Sequence, residues 1–150
     1  MSHSLSSIYV HYVFSTIERL PLIIPEIRDR LWAYMGGIAR EHKMCPVTIG
    51  GMADHGHLLI ELPSTLSVAK GVQLIKAGSS KWLHETFPSQ QHFAWQEGYG
   101  AFSLSKSSLP SAIEYIAKQE EHHRIHTYKE EFLAFLARYE IEYDERYLWD

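Results

Sequence analysis

Runs of strand-like and helix-like residues follow one another in this chain in the order β-α-β-β-α-β, and two more helical runs come after them. That order constrains the fold more than any other feature, because each period presents its apolar residues to a different kind of partner surface. "SIYVHYVFST", Ser7 to Thr16, is rich in Tyr, Val, Ile and Phe and predicts a strand. Alternation puts Tyr9, His11, Val13 and Ser15 on one face and Val10, Tyr12 and Phe14 on the other. "IPEIRDRLWAYMGGIAREHK" (24–43) opens on proline and early acids and spaces Ile27, Leu31, Tyr34, Met35 and Ile38 as a helix does. "CPVTIGGMADHGHLLIELP" predicts two strands with a turn near Met52–Asp54, the second ended by Pro63. "SVAKGVQLIKAGSSKWLHETF" (67–87) predicts a second helix through Val72, Leu74, Ile75 and Trp82.

Past that point Gly98 and Gly100 mark a loop, and Phe102 and Leu104 alternate in a short strand. Ser108 as N-cap and Pro110 near the first turn predict a helix over about 109–126. "KEEFLAFLARYEIEY" predicts a last short helix inside an acidic tail over about 127–150. The expected fold is α+β. A ferredoxin-like (RRM-like) antiparallel sheet carries helices on one face, with the C-terminal helices, one of them bearing Tyr115, added to it. At 150 residues the chain reads as a single domain over 1–150, and 45% hydrophobic residues supply a core.

Composition narrows the setting. Cys45 is the one cysteine, so an intramolecular disulfide is impossible and a reducing compartment fits. The first twenty residues show no basic segment followed by an apolar one, and no apolar run approaches the roughly 20 residues that span a bilayer. A soluble, cytoplasmic protein is expected. The net charge of −4 gives no global attraction to nucleic acid. It is unevenly spread: −1 over residues 1–63, +2 over 64–118 and −5 over 119–150. A DNA-binding face would have to be local.

Two patterns carry chemistry. In "ADHGHLLIEL", His55 and His57 are two apart on a strand and project from one face, while Gly56 points the other way. Two neutral imidazoles at that spacing can chelate a divalent ion, but a firm site needs another donor. On the helix after Ser108, with Tyr115 at 0°, Gln119 falls at about 40°, His122 at about −20° and His126 at about 20°. The plainer reading of that stripe is a solvated face. The two patterns complement each other: Gln119 offers a carbonyl oxygen, and a tyrosine, with a free pKa near 10, becomes useful beside a cation. Metal plus tyrosine suits phosphodiester cleavage through a phosphotyrosine link.

The chain resembles the single-tyrosine HUH transposases of small bacterial insertion sequences and their relatives that act on repetitive extragenic palindromes. "HYVFSTIER", "DHGHLLIEL", "WQEGYGAFSLS" and "YIAKQEEHH" carry the resemblance over nearly the whole length. Gly56 departs from it, since the residue between the histidines is usually bulky; some loss of strand stability is expected there, not of ligation. The resemblance implies that Tyr115 is the nucleophile, that His55, His57 and Gln119 hold Mg²⁺ or Mn²⁺, and that the substrate is single-stranded DNA with a hairpin or palindrome. It also implies a homodimer, with active sites shared between subunits in many members. His122, His123 and Arg124 are candidate accessory residues. Arg19, Lys76, Lys81 and Lys106 are candidate phosphate contacts, and Trp82, Trp95 and Tyr99 candidate stacking surfaces for bases, although Trp82 also fits the core. Two rivals stand beside this reading: a non-catalytic hairpin-binding domain on the same fold, and a small metal-binding regulatory domain.

Overall fold

The computed structural model describes residues 4–150; residues 1–3, part of the stretch read for a leader segment, lie outside the described ones. The elements are β1 (Ile8–Ser15), α1 (Pro25–Glu41), β2 (Cys45–Met52), β3 (His55–Leu62), α2 (Val68–Thr86), β4 (Gly100–Leu104), α3 (Leu109–Ala117), α4 (Gln119–His122) and α5 (Tyr128–Arg138). Three further single turns of 3₁₀ helix lie between them. The four strands form one antiparallel sheet in the order β2-β3-β1-β4, as a βαββαβ chain with two crossover helices gives.

One face of this sheet is a conventional core. Val10, Tyr12 and Phe14 of β1 and Leu58, Ile60 and Leu62 of β3 meet Ile27, Leu31, Met35 and Ile38 of α1 and Val72, Ile75 and Leu83 of α2. Proline at its start favours α1, and the Ser67 side chain caps α2 by accepting from the Lys70 amide. Gly56 belongs to this face. A Cβ there would lie 3.3 Å from Trp32 of α1, so the missing side chain makes room for an indole.

The C-terminal helices cover the other face. Tyr128, Phe132 and Leu136 of α5 pack on Val13 and Phe102, joined by Leu148 and Trp149. The acidic C-terminal segment therefore folds back over β1 and β4. A capping box between Thr127 and Glu130 starts α5, and Arg19 donates to the Trp149 carbonyl. Helices α3 and α4 lie over β2, where Gly50 leaves space: a Cβ would come within 3.0 Å of Ile116 Cγ2.

The expected single helix over 109–126 is corrected to two. Lys118, at φ −100° and ψ 24°, ends α3 and starts α4. Neither proline nor glycine causes the break. It coincides with the burial of Gln119, whose carboxamide turns under the sheet to meet His55 and His123. Of the polar stripe inferred from 100° steps, Gln119 turns inward, while Tyr115, His122 and His126 remain neighbours along one cleft despite the break.

Candidate metal and tyrosine site

The register of β1 and β3 fixes the first part of the site. Val13 pairs with His57 and Ser15 with His55, so both histidines project toward the C-terminal helices and are fully buried. His11 sits diagonally across the ladder, its Nε2 2.8 Å from His57 Nδ1. Burial first, and the neighbouring His57 second, pull His11 down to about 3, so its ring is neutral. Asp54 accepts from His55 Nδ1 at 2.7 Å. Each ring of the H-x-H pair is thus held from outside at Nδ1 and turns Nε2 inward.

The C-terminal helices supply what faces those two nitrogens. Gln119 Oε1 lies 3.1 Å from His55 Nε2 and 2.9 Å from His123 Nε2. Glu131, in the first turn of α5, places its carboxylate 3.0 Å from His57 Nε2, 3.4 Å from His55 Nε2 and 3.3 Å from His123 Nε2. The Tyr115 hydroxyl donates to Glu131 Oε2 and lies 3.5 Å from His122 Nε2. Ligand atoms of His55, His57, His123 and Glu131 all lie within 4.8 Å of one another, a spacing that fits one metal ion.

The electrostatics follow from burial and charge. Desolvation, and then the adjacent Glu131 carboxylate, raise the Tyr115 phenol well above its ordinary value. Burial alone would raise Glu131, but hydrogen bonds from His123 and His57 outweigh it and hold the carboxyl ionised. Desolvation lowers His57 against the pull of Glu131. A cleft of about 790 Å³ opens beside Tyr115 between α3 and α5, lined by Ser107, Ser108, Ser111, His122 and Arg138 among others.

The structure gathers Tyr115, His55, His57, Gln119, His122 and His123 in one place, and it disperses the remaining candidates. Arg124 and Lys106 are exposed, and Lys81 is exposed with Glu85 3.9 Å away. Lys76 is spent on the fold: its ammonium donates to the carbonyls of Gln96, Glu97 and Gly98. Arg19 lies over the Trp149 ring. Trp95 is a core residue whose indole donates to Ser79, and Trp82 is half-buried and stacks on Tyr34. Tyr99 stays exposed. Sequence reasoning missed Glu131, His11 and Asp54. Glu131 had a readable signal, because it falls at helical spacing with Tyr128, Phe132 and Phe135. A carboxylate in the apolar stripe of a helix asks for a partner.

Residues 4–119, more than three quarters of the chain, match the profile of the family described as "Transposase IS200 like". The chain belongs to the IS200-like transposase family. Over 116 residues, 74% of this transposase and 83% of the relative, it is 21% identical to the ISDra2 transposase TnpA of Deinococcus radiodurans. A crystal structure of a Deinococcus radiodurans R1 protein assigned as a transposase superposes with a TM-score of 0.64 at 22% identity, covering 79% of this chain and 95% of that one. A REP-associated tyrosine transposase bound to a REP hairpin superposes with a TM-score of 0.60 at 12% identity, covering 82% and 72%. These likenesses bear out the α+β antiparallel fold. The family match contains Tyr115, His55, His57 and Gln119 and stops before His123 and Glu131. Among the described residues, no helix of this transposase is long and apolar enough to cross a membrane.

Proposed function

We propose that this transposase is a metal-dependent single-strand DNA endonuclease and strand-transfer enzyme of the single-tyrosine HUH type, acting on DNA that folds into a hairpin or palindrome. One observation carries the reading. Tyr115 on α3, His55 and His57 on β3 and Gln119 on α4 converge in one chain, with the Tyr115 and His57 rings 5.7 Å apart. His55 and His57 would hold a divalent metal, Mg²⁺ or Mn²⁺ by family resemblance, with Gln119 as a third donor. Such an ion supplies charge for a non-bridging phosphate oxygen as the phosphorus is attacked. Tyr115 Oη forms the bond to phosphorus and the bond to the 3′ oxygen breaks, leaving a 5′-phosphotyrosine and a free 3′-hydroxyl. Attack by another 3′-hydroxyl reverses the step and completes transfer. The Glu131 carboxylate orients the phenol by accepting its hydrogen bond. His122 lies beside the phenol, where it would serve as an accessory group.

The hairpin substrate is supported by the hairpin held in the REP-associated relative. The working unit is a homodimer, one copy for each DNA end, acting in the cytoplasm on nucleoid DNA. A binding-only role has one observation in its favour, the ionised Glu131 that holds Tyr115 protonated.

The test is a denaturing gel. End-labelled single-stranded DNA carrying the palindromes beside the gene is incubated with the chain and Mn²⁺ or Mg²⁺. A labelled band at protein-plus-fragment mass, absent from Tyr115→Phe and with chelator, is expected. Hairpin binding in a native gel with no such band would make the protein a binder that has lost the reaction.

A further inference from the structure

The segment after the tyrosine helix brings two donors that the family match does not contain. We propose that His123 and Glu131 complete, with His55 and His57, a four-donor site that holds a first-row transition-metal dication and selects against Mg²⁺. Use of the ion in catalysis rests on the function proposed above; the binding itself does not.

The outer contacts of the three imidazoles support this. His55 Nδ1 donates to Asp54 Oδ1 at 2.7 Å, and His123 Nδ1 to the His126 carbonyl at 2.7 Å. His57 Nδ1 shares its hydrogen bond with His11 Nε2 at 2.8 Å. A partner at one ring nitrogen fixes the tautomer and aims the other nitrogen, as outer partners do for metal-bound histidines. All three rings consequently point Nε2 at the Glu131 carboxylate, while the Gln119 oxygen faces His55 and His123.

What the inward atoms lack points to a cation. With its Nδ1 proton committed outward, His55 or His123 can donate from Nε2 only as a charged ring, and when neutral it presents a lone pair there. Those lone pairs meet the oxygens of Glu131 and Gln119, which only accept. Acceptors facing acceptors in a dry site must be bridged by protons or by a cation. Side-chain exposure of 0% for His55, 1% for Glu131 and 8% for His123 leaves water little part in it. Donor chemistry then chooses the ion. Imidazole suits zinc, iron, nickel and copper, with Co²⁺ between iron and nickel in affinity, whereas Mg²⁺ demands oxygen ligands and keeps its waters.

The test uses the full chain, stripped with chelator, without DNA. Co²⁺ is titrated in and followed by its visible absorption, Zn²⁺ by calorimetry, both in millimolar Mg²⁺. One Co²⁺ per chain is expected, lost in His55→Ala. Glu131→Gln and His123→Ala should each weaken Co²⁺ by about tenfold or more and change the absorption band. Parent-like affinity and spectrum in both variants, or loss of the band to Mg²⁺, would overturn the proposal. Circular dichroism shows whether each variant folds. His123 is the less buried ligand, so His123→Ala keeps the test decisive if Glu131→Gln does not fold. Nicking supported by Mg²⁺ with a spectrum indifferent to Glu131 would sink this inference and spare the nuclease reading. A cobalt site without nicking would do the reverse.

Discussion

The two faces of the sheet are written into the same strands and have opposite chemistry. On β1 and β3 one set of alternate residues is Val10, Tyr12, Phe14, Leu58 and Ile60, sealed under α1 and α2. The other set includes His11, His55 and His57, equally buried but meeting a glutamate, a glutamine and a tyrosine. A period of two lets one strand serve a dry core and a polar centre at once. The comparison teaches that burial alone does not tell structural from functional residues; what the buried groups face does.

The comparison can be broken from either side, and the largest effect belongs to the dry face. Leu58 is fully buried there, and Leu58→Ala is expected to cost about 3 kcal/mol in a denaturant melt while the folded protein still binds one metal ion. Concurrent metal loss would mean that the faces are not separable. On the polar face, the triple substitution His55→Leu, His57→Leu and Glu131→Leu removes a buried ionic cluster as a unit. In chelator it should leave stability unchanged or raise it by about 2 kcal/mol, with metal binding abolished. A large loss of stability would show that the cluster is a structural brace. Gly56→Val sharpens the division at a single residue. Its side chain meets Trp32, so the melt should show about 1–2 kcal/mol of destabilisation. The Co²⁺ spectrum should survive.

The effect that is smallest at neutral pH, and grows on acidification, is one of protonation. An unfolded histidine titrates near about 6.5, whereas folded His11 is pulled down to about 3. Between those values the unfolded chain takes up a proton that the folded chain refuses. The contribution is complete above pH 6.5 and is lost on acidification toward 3. His11→Phe, measured with chelator present, should flatten the stability curve below pH 6.5 by up to about 1.4 kcal/mol per pH unit. An unchanged slope would place the folded pKa of His11 near its ordinary value.

Sequence periodicity reveals the dry face almost completely, because its partners lie in the elements adjacent along the chain. Strand alternation in "SIYVHYVFST" and the helical spacing of Ile27, Leu31 and Met35 each name their own inner side. The H-x-H pair and the four-residue step from Tyr115 to Gln119 are legible for the same reason. The meeting of the two is not, since it depends on a helix break at Lys118 and on α5 crossing back over β1 and β4. Glu131 is 74 residues from His57, and no local pattern joins them. The basic residues were the least legible. A lysine's partners depend on the loop above it, and Lys76 serves three carbonyls there instead of solvent.

The most direct test of the central claim is to locate the covalent bond. After reaction with hairpin-bearing single-stranded DNA and metal, the adduct is digested with protease and nuclease and sequenced by tandem mass spectrometry. The account predicts a nucleotide joined through its 5′-phosphate to Tyr115. An adduct on another residue, or cleaved DNA without any adduct, would contradict it.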